Sequence, residues 1–88
     1  MSTYFLELPH ALGDCAQAIQ LMNIRGYISQ LHWGCEAGEH TGVMILEGID
    51  SEEDVINILP PLLRPKARVF KLNKYTPEDV EKIHDVNQ

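Results

Sequence analysis

The run Val43-Met44-Ile45-Leu46 is apolar at every position, and Tyr4-Phe5-Leu6 repeats the feature near the N-terminus. Successive side chains of a strand point to opposite faces of a sheet, so a strand with one wet face alternates apolar and polar residues. Two such two-sided runs in a chain of 88 residues call for a sheet whose central strands are covered on both faces. The chain supplies helices enough for one of those faces only.

The remaining elements follow from punctuation. Ser2 to Leu8 reads as a strand with Tyr4, Leu6 and Leu8 on one face and Phe5 and Glu7 on the other, closed by Pro9. A helix follows in which Leu12, Cys15, Ile19 and Met22 recur at helical spacing. Asp14 and Gln17 form a capping pair that makes Pro9 to Gly13 a lead-in, and Gly26 ends the helix. Tyr27 to about Glu36 reads as a second strand and Thr41 to about Glu47 as a third, joined by a three-residue turn at Ala37-Gly38-Glu39. Ser51 followed by Glu52, Glu53 and Asp54 marks a helix start, and Val55, Ile58, Leu59 and Leu62 supply its apolar stripe until Pro60-Pro61 breaks it. Ala67 to Leu72 is a fourth strand. Thr76-Pro77-Glu78-Asp79 opens a terminal helix with a thin apolar edge at Val80 and Ile83.

This order is that of an α+β, ferredoxin-like βαββαβ domain spanning residues 1–88, with a C-terminal helix added. Right-handed crossovers give an antiparallel sheet in the order 4-1-3-2 with both main helices on one face. In element order and patterning the chain resembles the small ferredoxin-like domains that pair their open sheet faces as dimeric α+β barrels. The resemblance implies a homodimer or higher oligomer formed through the helix-free face. That family includes small oxygenases, isomerases and dehydratases, and regulatory ACT-like domains share the element order, so the resemblance does not choose a function.

Charge narrows the partners. Seven Lys and Arg against thirteen Asp and Glu leave a net charge of −6, which opposes binding to nucleic acid or to an anionic membrane surface. Arg64, Lys66, Arg68, Lys71 and Lys74 form the only basic concentration and read as a solvated surface. No apolar run approaches the ~20 residues of a spanning helix, and no charged leader precedes an apolar stretch, so a cytoplasmic location is expected. Two cysteines do not make a disulfide framework. Nothing in the spacing of Cys15 and Cys35 imposes a close approach, and two unbonded thiols are expected.

The densest group of reactive side chains runs from His32 to His40. The three-residue turn places Glu36 opposite His40 and Cys35 on the other side of the sheet. His32 then lies about 13 Å from Glu36 at ~3.3 Å per residue, too far for one ion. A transition-metal site at His32, Cys35 and His40 is therefore the third reading, open only if subunits complete it. The same register sets Leu31 and Trp33 beside Val43 and Ile45 under the helices. It sets Ile28, Gln30 and His32 beside Met44 and Leu46 on the open face, a mixture that suits a small-ligand pocket lined by His32, Gln30 and Met44.

Phosphate loops and nucleophile elbows are missing from the sequence. The leading expectation is a non-catalytic, homo-oligomeric ligand-binding or regulatory module that needs no cofactor. The alternative is a small barrel enzyme using His32, with Glu7, in proton transfer.

Overall fold

A computed structural model describes the protein over residues 1–87. Its strands are β1 (Ser2–Pro9), β2 (His32–Trp33), β3 (Thr41–Ile49) and β4 (Arg68–Leu72); its α-helices are α1 (Cys15–Ile24), α2 (Glu52–Ile58) and α3 (Pro77–Asn87). Single 3₁₀ turns lie at Leu12–Asp14, Ile28–Gln30, Cys35–Ala37 and Pro61–Leu63. The strands form one antiparallel sheet in the order β2-β3-β1-β4, which puts the two doubly apolar strands at its centre. The architecture is α+β, as the pattern of the sequence requires.

One face of this sheet carries the core. Tyr4, Leu6 and Leu8 of β1 and Met44 and Leu46 of β3 pack with Ala18 and Met22 of α1 and with Val55, Leu59 and Leu63 in and beyond α2. The opposite face presents a row made by His32, Val43, Glu7 and Arg68, and beside it a row made by Ile45, Phe5 and Phe70. Phe5 and Phe70 stack with ring centroids 4.9 Å apart, and Arg68 reaches Glu7 at 3.1 Å. Among the described residues no helix covers these rows: Ile45 remains 59% and Phe70 41% exposed.

Local chemistry explains where elements stop. Gly26 adopts φ +86, and Tyr27 N–H donates to Met22 O at 3.1 Å while Gly26 N–H donates to Asn23 O at 3.0 Å. That paired closure ends α1 in the way a left-handed glycine permits. Ser51 Oγ accepts from Asp54 N–H at 3.2 Å and starts α2. The helix ends at Ile58, and Leu59 is extended (φ −81, ψ 141) because the residue before a proline is crowded out of the helical region. The apolar stripe therefore continues through the Pro61–Leu63 turn, burying Leu63 and leaving Leu62 exposed.

Several expectations are corrected. Asp14 does not cap α1 with its side chain: it closes a 3₁₀ turn at φ −103, ψ 1, outside the extended region a capping residue needs. Leu12, in that turn, is exposed. The second strand shrinks to His32–Trp33, because Ile28–Gln30 and Cys35–Ala37 curl into turns on either side. The hairpin register also differs by one residue: His32 pairs with Val43 and Trp33 with Gly42. A slip of one residue exchanges the faces of a strand, so Met44 and Leu46 are core residues and Val43 and Ile45 face outward. Gln30 sits exposed in a turn, and Met44 is buried on the face opposite His32. The pocket expected from His32, Gln30 and Met44 is not assembled.

Candidate metal centre

The 34–41 segment that replaces the simple hairpin turn builds the site. Gly34 O accepts from both Ala37 N–H (3.0 Å) and Glu39 N–H (2.9 Å), Gly38 turns left-handed at φ +87, and Gly34 N–H reaches Thr41 O at 3.0 Å. A Cβ at Gly34 would stand 2.8 Å from Glu39 O, so this closure requires glycine. The loop brings Cys35 and His40 round to the end of β1 instead of leaving them alternating along a strand. There His10 N–H donates to His40 O at 3.0 Å, carrying the β1–β3 pairing one step beyond Pro9 and Thr41.

His10, Cys15, Cys35 and His40 converge at this corner. His10 Nε2 lies 3.1 Å from Cys15 Sγ and 3.3 Å from Cys35 Sγ, and His40 Nδ1 lies 3.3 Å from Cys15 Sγ. Donor atoms of His10, Cys15 and Cys35 all fall within 4.8 Å of one another. A tetrahedral zinc site with bonds of ~2.0–2.3 Å holds its donor atoms roughly 3.3–3.8 Å apart. His10, Cys15 and Cys35 are thus spaced to share one ion, with adjustments of a few tenths of an ångström at the two measured pairs, while His40 touches Cys15 and stands outside that group of three.

The orientation of His10 is fixed from behind. Its Nδ1 lies 2.9 Å from Leu8 O. A carbonyl only accepts, so Nδ1 carries the proton and Nε2 turns its lone pair toward the two thiols. Ligand histidines are commonly held in this way by a backbone carbonyl. Trp33 stands beside the imidazole, with centroids 6.0 Å apart, and gives the corner an apolar wall. All four donor residues are half-buried. His10 also lines a cleft of about 220 Å³, together with Asp14, Leu62, Leu63 and Lys66 among others.

Electrostatics in the metal-free chain favour protonated sulfur. The Cys15 thiol is pushed up to about 11, first by its hydrogen bond with Cys35, then by burial and by the charges of Cys35 and Asp14. A bound cation reverses this preference, because it coordinates thiolate and displaces the proton.

Of the residues singled out from the sequence, Cys35 and His40 belong to this cluster and His32 does not. His32 is exposed on the helix-free face. Glu7 shares that face, but Val43 stands between them on β3 and Glu7 is engaged by Arg68. Two strand spacings, about 9.6 Å at ~4.8 Å each, separate the backbones of His32 and Glu7. Both cysteines are free, as expected, and their sulfurs stand close although nothing in their sequence spacing imposes it. His10 and Cys15 were missed. Their signal is a mirrored spacing, His10-x4-Cys15 followed by Cys35-x4-His40, which matters only once β1 and β3 are laid antiparallel.

Comparison of the chain with protein-family models, curated proteins and solved structures finds no match.

Proposed function

We propose that the protein is a binding module for a zinc-class transition-metal ion, held by Cys15 and Cys35 as thiolates and by His10 and His40 as imidazoles. The carrying observation is that His10 Nε2, with its lone pair aimed by the Leu8 carbonyl, lies 3.1 and 3.3 Å from two free thiols. Paired thiolate and imidazole donors suit borderline-soft ions, and zinc accepts their tetrahedral arrangement without electronic preference. His40, 3.3 Å from Cys15, completes the set by turning its ring toward the other three donors, and four protein ligands would close the coordination sphere, which favours a structural or regulatory role over a catalytic one.

Such an ion ties the end of β1, the first residue of α1 and the 34–41 loop together. A chain of 88 residues has a modest core, and small domains commonly add a metal or other staple to it. Calorimetric titration of the reduced, untagged chain with zinc tests the reading. One ion per chain is expected, lost in Cys15→Ser and Cys35→Ser and weakened in His10→Ala and His40→Ala. His32→Ala binds as the parent does. Absence of binding in the parent, or equal binding by the cysteine variants, overturns the proposal.

A second reading rests on a separate observation, the uncovered rows of Ile45, Phe5 and Phe70 with Val43 beside them. A ferredoxin-like module that homodimerises through this face would remove those side chains from water, as apolar surface favours. Light scattering at micromolar concentration is expected to give twice the 10.0 kDa chain mass; the mass of one chain, with Phe70→Ser unchanged, refutes the dimer.

A further inference from the structure

Beyond binding a metal, the corner has the makings of an oxidisable pair. The Cys15 and Cys35 sulfurs lie within 4.8 Å of each other, with the His10 imidazole beside both. A disulfide has a sulfur separation of ~2.05 Å, so closing the bond takes at most about 3 Å of travel shared by two side chains. Neither cysteine is part of a strand ladder. Cys15 is the first residue of α1, directly after a 3₁₀ turn, and Cys35 opens the turn that Gly38 closes. Rotation about their side-chain bonds therefore leaves the sheet intact. Both are half-buried rather than sealed, and a small oxidant reaches them.

We propose that Cys15 and Cys35 are a site of reversible oxidation, at which a peroxide converts the metal centre into an intramolecular disulfide and expels the ion. This deepens the metal-binding reading and rests on it. In the metal-free chain one thiol first gives its proton to solvent and then attacks a peroxide oxygen as thiolate, the O–O bond breaks, and a sulfenic acid forms with loss of hydroxide, which takes up that proton as water. The second sulfur attacks that sulfenic sulfur, the S–O bond breaks, and the oxygen leaves as water. Two thiols and one hydrogen peroxide thus give one disulfide and two waters. From the loaded site, the metal dithiolate, one hydrogen peroxide and two protons give the free divalent ion, the disulfide and two waters. Two electrons pass from the sulfurs to the peroxide and none from the metal. A reducing thiol restores both ligands and the site. The disulfide has no thiolate left to offer, so oxidation state and metal occupancy are mutually exclusive.

The test separates the two claims. Zinc is first titrated into the chain under reductant, which reads the metal site alone. The loaded chain is then freed of reductant and treated with hydrogen peroxide, while released zinc is followed with a colorimetric chelator and the chain with intact-mass spectrometry. The expected product is a single chain without an intermolecular cross-link, two hydrogens lighter than the reduced chain and free of zinc, with one ion released per disulfide and rebinding after dithiothreitol. Cys35→Ser, with an unchanged circular dichroism spectrum, is expected to gain oxygen at Cys15 instead of losing hydrogens. If zinc binds but peroxide yields only oxygen adducts or cross-linked dimers, the redox proposal falls and the metal reading stands. If zinc does not bind under reductant, the metal reading fails and this proposal fails with it, whether or not a disulfide forms.

Discussion

Gly42 faces the indole of Trp33 across the β2–β3 pairing, and a Cβ added there would stand 2.7 Å from Cε3 and Cζ3 and 3.1 Å from Cδ2. Carbon atoms prefer separations of roughly 3.5–4.0 Å, so Gly42→Ala forces a displacement of about 1 Å. The backbone of Gly42 cannot supply it cheaply, because Leu8 pairs with it on the other side. The indole must move, and with it the wall beside His10. Overpacking of this kind costs about 1–3 kcal/mol. Total stability for a chain of this size is on the order of 4–13 kcal/mol, so the variant folds but melts lower. At ~4–8 °C per kcal/mol for a domain of this size, the midpoint falls by roughly 4–24 °C. Urea unfolding followed by the fluorescence of the single tryptophan measures the change directly. Gly13→Ala, where an added Cβ meets nothing within 4 Å, is the control and stays within about 0.5 kcal/mol of the parent. Equal stability of Gly42→Ala and the parent would refute the close packing of Trp33 on β3.

Ser51→Ala removes the acceptor for Asp54 N–H and is expected to lower stability by about 1 kcal/mol in the same assay. The Thr76 backbone and hydroxyl hold the Asp79 carboxyl below its ordinary value of 3.8. A carboxylate depressed in the folded state adds stability above its unfolded value, and that stability is lost as pH falls through the folded one. Asp79 should therefore titrate below 3.8 by NMR, and Thr76→Ala, which removes the hydroxyl but keeps the backbone N–H, should return it only part of the way. Zinc at a hundred times its dissociation constant stabilises the native chain by about 2.7 kcal/mol, so chelator should lower the melting temperature of the parent and leave Cys15→Ser unchanged.

The class of the fold was legible because the two-sided runs at Tyr4-Phe5-Leu6 and Val43–Leu46 admit only central strands, and because Gly26, Ser51 and Thr76 punctuate the helices with local chemistry. The register of β2 on β3 was not. It depends on how many residues the loop after Trp33 consumes, and the 3₁₀ turn at Cys35–Ala37 consumes more than a three-residue hairpin does. That same turn hid the site. Read as alternating strand, Cys35 and His40 point to different places; curled, Cys35 reaches His10 and His40 reaches Cys15. His10 was hidden differently, as a residue just past a strand-ending proline, whose role appears only when its backbone pairs with His40. The position of His32 on the helix-free face was readable from alternation with Leu31 and Trp33, but its neighbours there were set by the register of β3.

X-ray absorption at the zinc edge of the reduced, loaded chain tests the central claim most directly, because it counts the atoms bound to the ion. The proposed site predicts two sulfurs at ~2.3 Å and two imidazole nitrogens at ~2.0–2.1 Å, from Cys15, Cys35, His10 and His40. A shell of oxygen and nitrogen alone, without sulfur, would contradict it.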